Sequence, residues 1–116
     1  MINLPEPIVR FYQMANNADE NNFKSIFTHD AIVFDEGKEM LGLESIEKWS
    51  KDSIFNPKIH FKTLSYKKRD RFIVVTSEVD GSFDKTGLPN PFLLDIHFSV
   101  VEEKIKELIC TDFNSI

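Results

Sequence analysis

A single cysteine, Cys110, leaves no partner for an internal disulfide, so a packed core must hold the fold, and such usage suits a reducing compartment. Long apolar runs are missing too. The longest, "AIVF" at 31–34 and "FIVV" at 72–75, are far too short to cross a bilayer, and the N-terminus lacks the basic-then-apolar pattern of a signal segment. A cytoplasmic protein with no membrane partner is the expectation. Histidine is scarce: His29, His60 and His97 are isolated and lack the close His/carboxylate spacings of a metal site, so neither a metal nor another cofactor is expected. Gly-rich phosphate loops are absent, and "SIEK" at 45–48 with "KTG" at 85–87 imitates two β-lactamase motifs by chance in a chain far too short for that fold. Positive charge is the minority sign. Fourteen Lys and Arg against nineteen Asp and Glu give a net charge of −5, which repels phosphate backbones and argues against a nucleic-acid partner. The densest basic stretch, "YKKRDR" at 66–71, is broken by Asp70 and reads as a solvated hairpin turn.

What the sequence does hold is phenylalanine. Eleven of them, against one tryptophan and two tyrosines, bring bulk without a polar handle, so the interior or a pocket within it should be largely apolar. The 116 residues are 41% hydrophobic and 28% charged, a globular balance at a length that suits one domain, 1–116.

Periodicity divides the chain in two. Ile8, Phe11, Tyr12 and Ala15 recur at helical spacing, with Asn3 and Glu6 forming a weak capping box and Pro5 tolerated in the first turn. "NNADENN" breaks that helix, and Asp19 caps a short second one carrying Phe23, Ile26 and Phe27. "AIVFDE" predicts a first strand, and Gly42 opens a third helix striped by Leu43, Ile46 and Trp49. After Pro57 the period becomes two: strands are predicted from Ile59, over Arg71 to Phe83, over Phe92 to Val100, and over Ile105 to Phe113. "DKTGLPNP" at 84–91 is a breaker-rich loop between two of them. Helices segregated from a meander of antiparallel strands define an α+β domain, with the helices on one face of a curved sheet.

In the strand "AIVFDEG", Asp35 follows Ala31 and Val33 on one face and Glu36 follows Ile32 and Phe34 on the other, so only one acid can face the interior. Asp35 is the better candidate. Two readings stay open for it: an inward group that does chemistry, or the side-chain cap of a turn. Tyr12 sits in the apolar stripe of its helix, so its hydroxyl should point inward and need a partner; a core tyrosine bonded to a backbone carbonyl is the alternative to a functional one. Cys110 reads as a small core hydrophobe.

The ordered set "PIVRFYQMANNADENNFKSIFTHDAIVFDEG", "GLESIEKW" and the closing strands resembles the SnoaL-like branch of the cone-shaped superfamily that includes ketosteroid isomerase, scytalone dehydratase and nuclear transport factor two. The resemblance implies a mostly antiparallel mixed sheet wrapped around N-terminal helices, with a central pocket. It puts Asp35 on the general base of ketosteroid isomerase and Tyr12 on its oxyanion donor; the second, acidic donor of that family falls on Ile96, which cannot serve. Phe11, Phe27, Val33, Trp49, Phe61, Ile96 and Phe98 are the expected pocket lining.

Two functions remain open: proton transfer beside a carbonyl on an apolar substrate (isomerase, cyclase or dehydratase), or non-catalytic binding of a small apolar molecule or a protein. A homodimer through the sheet is expected. "RFIVVTSEV" is apolar on both faces, with Phe72, Val74 and Thr76 on one and Ile73, Val75 and Val79 on the other, and Leu108 and Cys110 were candidates to extend the second. The resemblance implies the same assembly.

Overall fold

A computed structural model describes residues 4–113 of the chain. Helix α1 spans Glu6–Asn16, and a single 3-10 turn spans Phe23–Ile26. Strand β1 (Phe27–Asp35) and β2 (Lys38–Leu41) form a hairpin, followed by α2 (Gly42–Ser50) and one π-helical turn (Lys51–Phe55). Strands β3 (His60–Arg69), β4 (Phe72–Asp80), β5 (Leu93–Val101) and β6 (Lys104–Asp112) complete the chain. They form one six-stranded sheet in the order β2-β1-β6-β5-β4-β3, antiparallel except where β1 lies parallel to β6. This is the expected α+β architecture, with both helices against one face.

The amphipathic stripe of α1 explains that packing: Ile8, Phe11, Tyr12 and Ala15 are all buried. Asn3 lies outside the described residues, and α1 starts after Pro5 with Pro7 in its first turn, where a missing N–H costs nothing. Its last residue, Asn16, is a clamp. The Asn16 amide donates to the Phe61 carbonyl at 2.9 Å and accepts from the Phe61 N–H at 2.8 Å, fastening α1 to edge strand β3.

Three local expectations change. Phe27 is not helical; it opens β1, which begins earlier than "AIVF" suggested, across a register shift between Phe27 and Ile32. Strand β2 was not expected at all. It follows from Glu36 and Gly37, both at positive φ (52° and 74°), which form the tight turn of a two-residue hairpin pairing Asp35 with Lys38. "YKKRDR" is mostly strand: Tyr66–Arg69 pair with β4, and only Asp70 and Arg71 turn. Its cations guard the exposed edge of the sheet, a common protection against strand addition. As expected, Leu108 and Cys110 share the face of Ile73, Val75 and Val79, and that face is the inner one: Leu108 stands opposite Val33 and Phe98, and Cys110 opposite Ile96. The outer face carries Phe72, Val74 and Thr76, with Ile32, Phe34 and Ile109 in register beside them.

Candidate functional site

The alternation of β1 carries Asp35 to the inner face, because Ala31 and Val33 on the same side are fully buried. Asp35 is the last residue before the hairpin turn, so it stands at the rim of the inner layer rather than in its centre. The stripe of α2 points Ile46 and Trp49 at the same face. The two converge: Trp49 Nε1 donates to Asp35 Oδ2 at 2.9 Å. Trp49 is only 7% exposed, so this indole N–H needs an acceptor, and the carboxylate supplies it. Among the described residues the other Asp35 oxygen makes no hydrogen bond.

Beside this pair the inner layer opens into a cavity of about 750 Å³, within the range of roughly 300–1,000 Å³ common to small-molecule pockets. Phe11, Phe61 and Trp49 form one side, and Ile96, Leu94 and Cys110 of the sheet form the floor. Ile54, from the π turn after α2, and Phe83, Leu88 and Phe92, from the β4–β5 connection, border the rest. Gly81 permits part of that wall: a Cβ there would stand 2.9 Å from both Ile59 Cδ1 and the Pro57 carbonyl, so only glycine lets residues 57–59 close against the end of β4.

The expected lining divides. Phe11, Trp49, Phe61 and Ile96 border the cavity, as does Asp35. Phe27, Val33 and Phe98 do not; each is fully buried in the core, further along the inner face. Tyr12 does not border it either. Its ring stacks edge to face on Phe11, Phe61 and Phe98, with centroids 4.9, 5.3 and 5.9 Å away. The hydroxyls of Tyr12 and Ser77 are both buried, and among the described residues neither has a well-formed hydrogen bond. Burial raises the Tyr12 pKa far above the phenol range, and the Ser77 hydroxyl only partly opposes it. Asp35 and Tyr12 are thus both inner-face residues, but only Asp35 borders the cavity.

Sequence reasoning missed the acids around the mouth. Glu36, Asp52, Asp84 and Asp112 border the cavity together with Asp35, and among the described residues no lysine, arginine or histidine does. Their contributing segments are far apart in the chain, so no spacing pattern could have gathered them. Cys110 registers the charge: burial first, then Asp35 and Glu36, push its thiol pKa well up, which disfavours a nucleophilic thiolate. Among the described residues no group of three or more His, Cys, Asp or Glu side chains could hold a metal ion, and no helix is long and apolar enough to cross a membrane.

No protein-family model and no curated protein matches the sequence. Solved structures do match the fold. A candidate polyketide cyclase from Sinorhizobium meliloti superposes with a TM-score of 0.82 at 21% identity, covering 93% of this chain and 95% of that one. A protein with a ketosteroid isomerase-like fold from Catenulispora acidiphila, in complex with trimethylamine, gives 0.74 at 18% identity over 92% and 85%. An NTF2-like protein from Cytophaga hutchinsonii gives 0.73 at 8% identity over 97% and 91%. The chain therefore has the SnoaL-like, NTF2-like α+β cone fold. Identities this low carry the fold and not an activity, since folds of this kind host many functions.

Proposed function

We infer that this domain binds a small, largely apolar molecule in the cavity beside Asp35, with the Asp35 carboxylate as its polar anchor. The observation that carries this reading is the Trp49–Asp35 hydrogen bond at the cavity wall: one oxygen is held by the indole, and the other is left for a ligand. Fixed polar groups in an otherwise apolar, aromatic-lined recess are what orient ligands in small-molecule sites. Trp49 is the chain's single tryptophan and borders the cavity, so its fluorescence should report occupancy directly. Titration with small aromatic compounds is expected to give a saturable change in wild-type protein and a weaker one in Asp35→Asn. No response from any compound of fitting size would count against the reading.

Catalysis of proton transfer beside a carbonyl is the second reading. Asp35 is in place for a base, with a free oxygen at the cavity wall. The other half of that chemistry, a donor for the developing enolate oxygen, has no support from Tyr12, which does not border the cavity, or from Ile96, which has no polar group. The Trp49 N–H is already committed to Asp35. Binding is therefore the reading with fewer missing parts. Turnover of a β,γ-unsaturated ketone, lost in Asp35→Asn, would reverse that order.

Assembly as a homodimer through the outer face of the sheet belongs to the same proposal. Phe34 and Leu41 are 38% and 58% exposed there, next to Ile32 and Ile109. Arg71 partly covers the face, lying 4.5 Å over the Phe72 ring and pairing with Glu107. An apolar sheet face of this kind is most simply buried against a second copy. Sedimentation equilibrium at micromolar concentration tests it: a dimer mass is expected, and a clean monomer mass removes the assembly while leaving the cavity reading untouched.

A further inference from the structure

We propose that the ligand of this cavity is an organic cation: a protonated amine or other ammonium group on an apolar body. The inference rests on the reading of the cavity as a small-molecule site and names the chemical class that site selects. The lining is one-sided in charge. Asp35, Glu36, Asp52, Asp84 and Asp112 border the space, and among the described residues no basic side chain does. Asp52 is paired with Lys48 at 2.9 Å. Among the described residues the other four form no ion pair, although lysine is abundant elsewhere on the surface. Lys85, in the neighbouring loop, is paired with Asp80 at 3.2 Å.

A recess with low-dielectric walls and one sign of charge focuses its field on whatever enters. Carboxylate, phosphate or enolate groups would meet uncompensated like charge, and a neutral molecule would gain nothing from it. A metal ion is a poor match, because the carboxylates border a wide space and nowhere gather three ligating groups. A diffuse organic cation suits both parts of the wall. Its charge would meet Asp35, whose carboxylate the Trp49 indole holds at 2.9 Å, and its body would lie against Phe11, Phe61 and Phe92. Aromatic faces attract ammonium groups in their own right.

Three probes that share one body and differ in charge decide the matter: phenylbutylamine, phenylbutanol and phenylbutyrate, each titrated against Trp49 fluorescence and by calorimetry. The amine is expected to bind about tenfold more tightly than the alcohol, as one well-placed charge in a partly exposed site would give, and the acid most weakly. Asp35→Asn should erase most of the amine's advantage over the alcohol. Glu36→Gln, an exposed position in the hairpin turn, should reduce the advantage about twofold without touching the core, and added salt should act in the same direction. An alcohol that binds as tightly as the amine, or an acid that binds best, overturns the charge inference and leaves the cavity reading standing. If none of the three binds up to its solubility limit, the cavity reading fails and the inference falls with it.

Discussion

The inner layer of this sheet is built in two halves that the chain treats differently. In one, Tyr12 packs against Phe11, Phe61 and Phe98, and polar atoms without good partners are sealed in. In the other, Asp35 and Trp49 stand at the edge of an open cavity with acids around its mouth. Phe11 and Phe61 belong to both, with ring centres 5.8 Å apart, and form the partition. Phe11 and Tyr12 are adjacent in the same helix, yet only Phe11 reaches the cavity. The packed half supplies stability and the open half supplies a site, so substitutions in the two should separate cleanly by what they change.

The largest effect is expected in the packed half. Phe98→Ala removes a ring with no solvent exposure and should cost about 3–5 kcal/mol of unfolding free energy, read by urea denaturation. A loss under about 1 kcal/mol would mean that this half is not the rigid one. Next comes the clamp that holds the partition. Asn16→Ala loses both bonds to the Phe61 backbone and should cost about 1–3 kcal/mol, visible as a lowered thermal midpoint. In the open half, Trp49→Phe keeps the bulk but frees Asp35; a stability loss of about 1 kcal/mol is expected. Tyr12→Phe should be close to neutral or stabilising by up to about 1 kcal/mol, since it deletes a buried hydroxyl that lacks a good partner. A strong loss there, or loss of ligand binding, would show that the partition is open to the hydroxyl.

The smallest effect lies outside both halves, on the outer face. Burial holds His97 below its usual value of 6.5, with Arg69 and Lys67 adding to the shift and Asp95 opposing it. The neutral ring is therefore favoured in the folded state, and the unfolded chain takes up more protons as pH falls through 6.5. Its contribution to stability is present above that pH and is lost progressively below it. His97→Gln should flatten the fall in denaturation midpoint between about pH 7 and about pH 5, while the salt-bridged carboxylates act only at lower pH. An unchanged slope would mean that His97 does not titrate differently on folding.

Much of this arrangement is legible in the sequence, and the illegible part has a common cause. The stripe of α1 and the alternation of β1 place Tyr12 and Asp35 on the inner face, because side-chain direction follows local period. Period gives a face but not a place along it, so Tyr12 reads as a cavity residue when it packs among Phe11, Phe61 and Phe98 instead. The strands from Ile59 onward are legible because apolar and polar residues alternate there. "KEML" at 38–41 has no such pattern, and only the Glu36–Gly37 pair signals its hairpin. Leu108 and Cys110 do share the face of Ile73 and Val75, but which of the two apolar faces of "RFIVVTSEV" the helices cover cannot be told without the register of the neighbouring strands. The Trp49–Asp35 bond joins a helix and a strand across a hairpin that was itself unseen, and the acidic mouth gathers four separate segments.

The central claim, that Asp35 and Trp49 form one site open to a ligand, is tested most directly by the indole N–H resonance of Trp49, the only one the protein has. Phenylbutylamine should move this resonance saturably in wild-type protein, and about tenfold more amine should be needed in Asp35→Asn. A resonance that stays fixed while the amine demonstrably binds, or that responds identically with and without the Asp35 charge, would contradict the account.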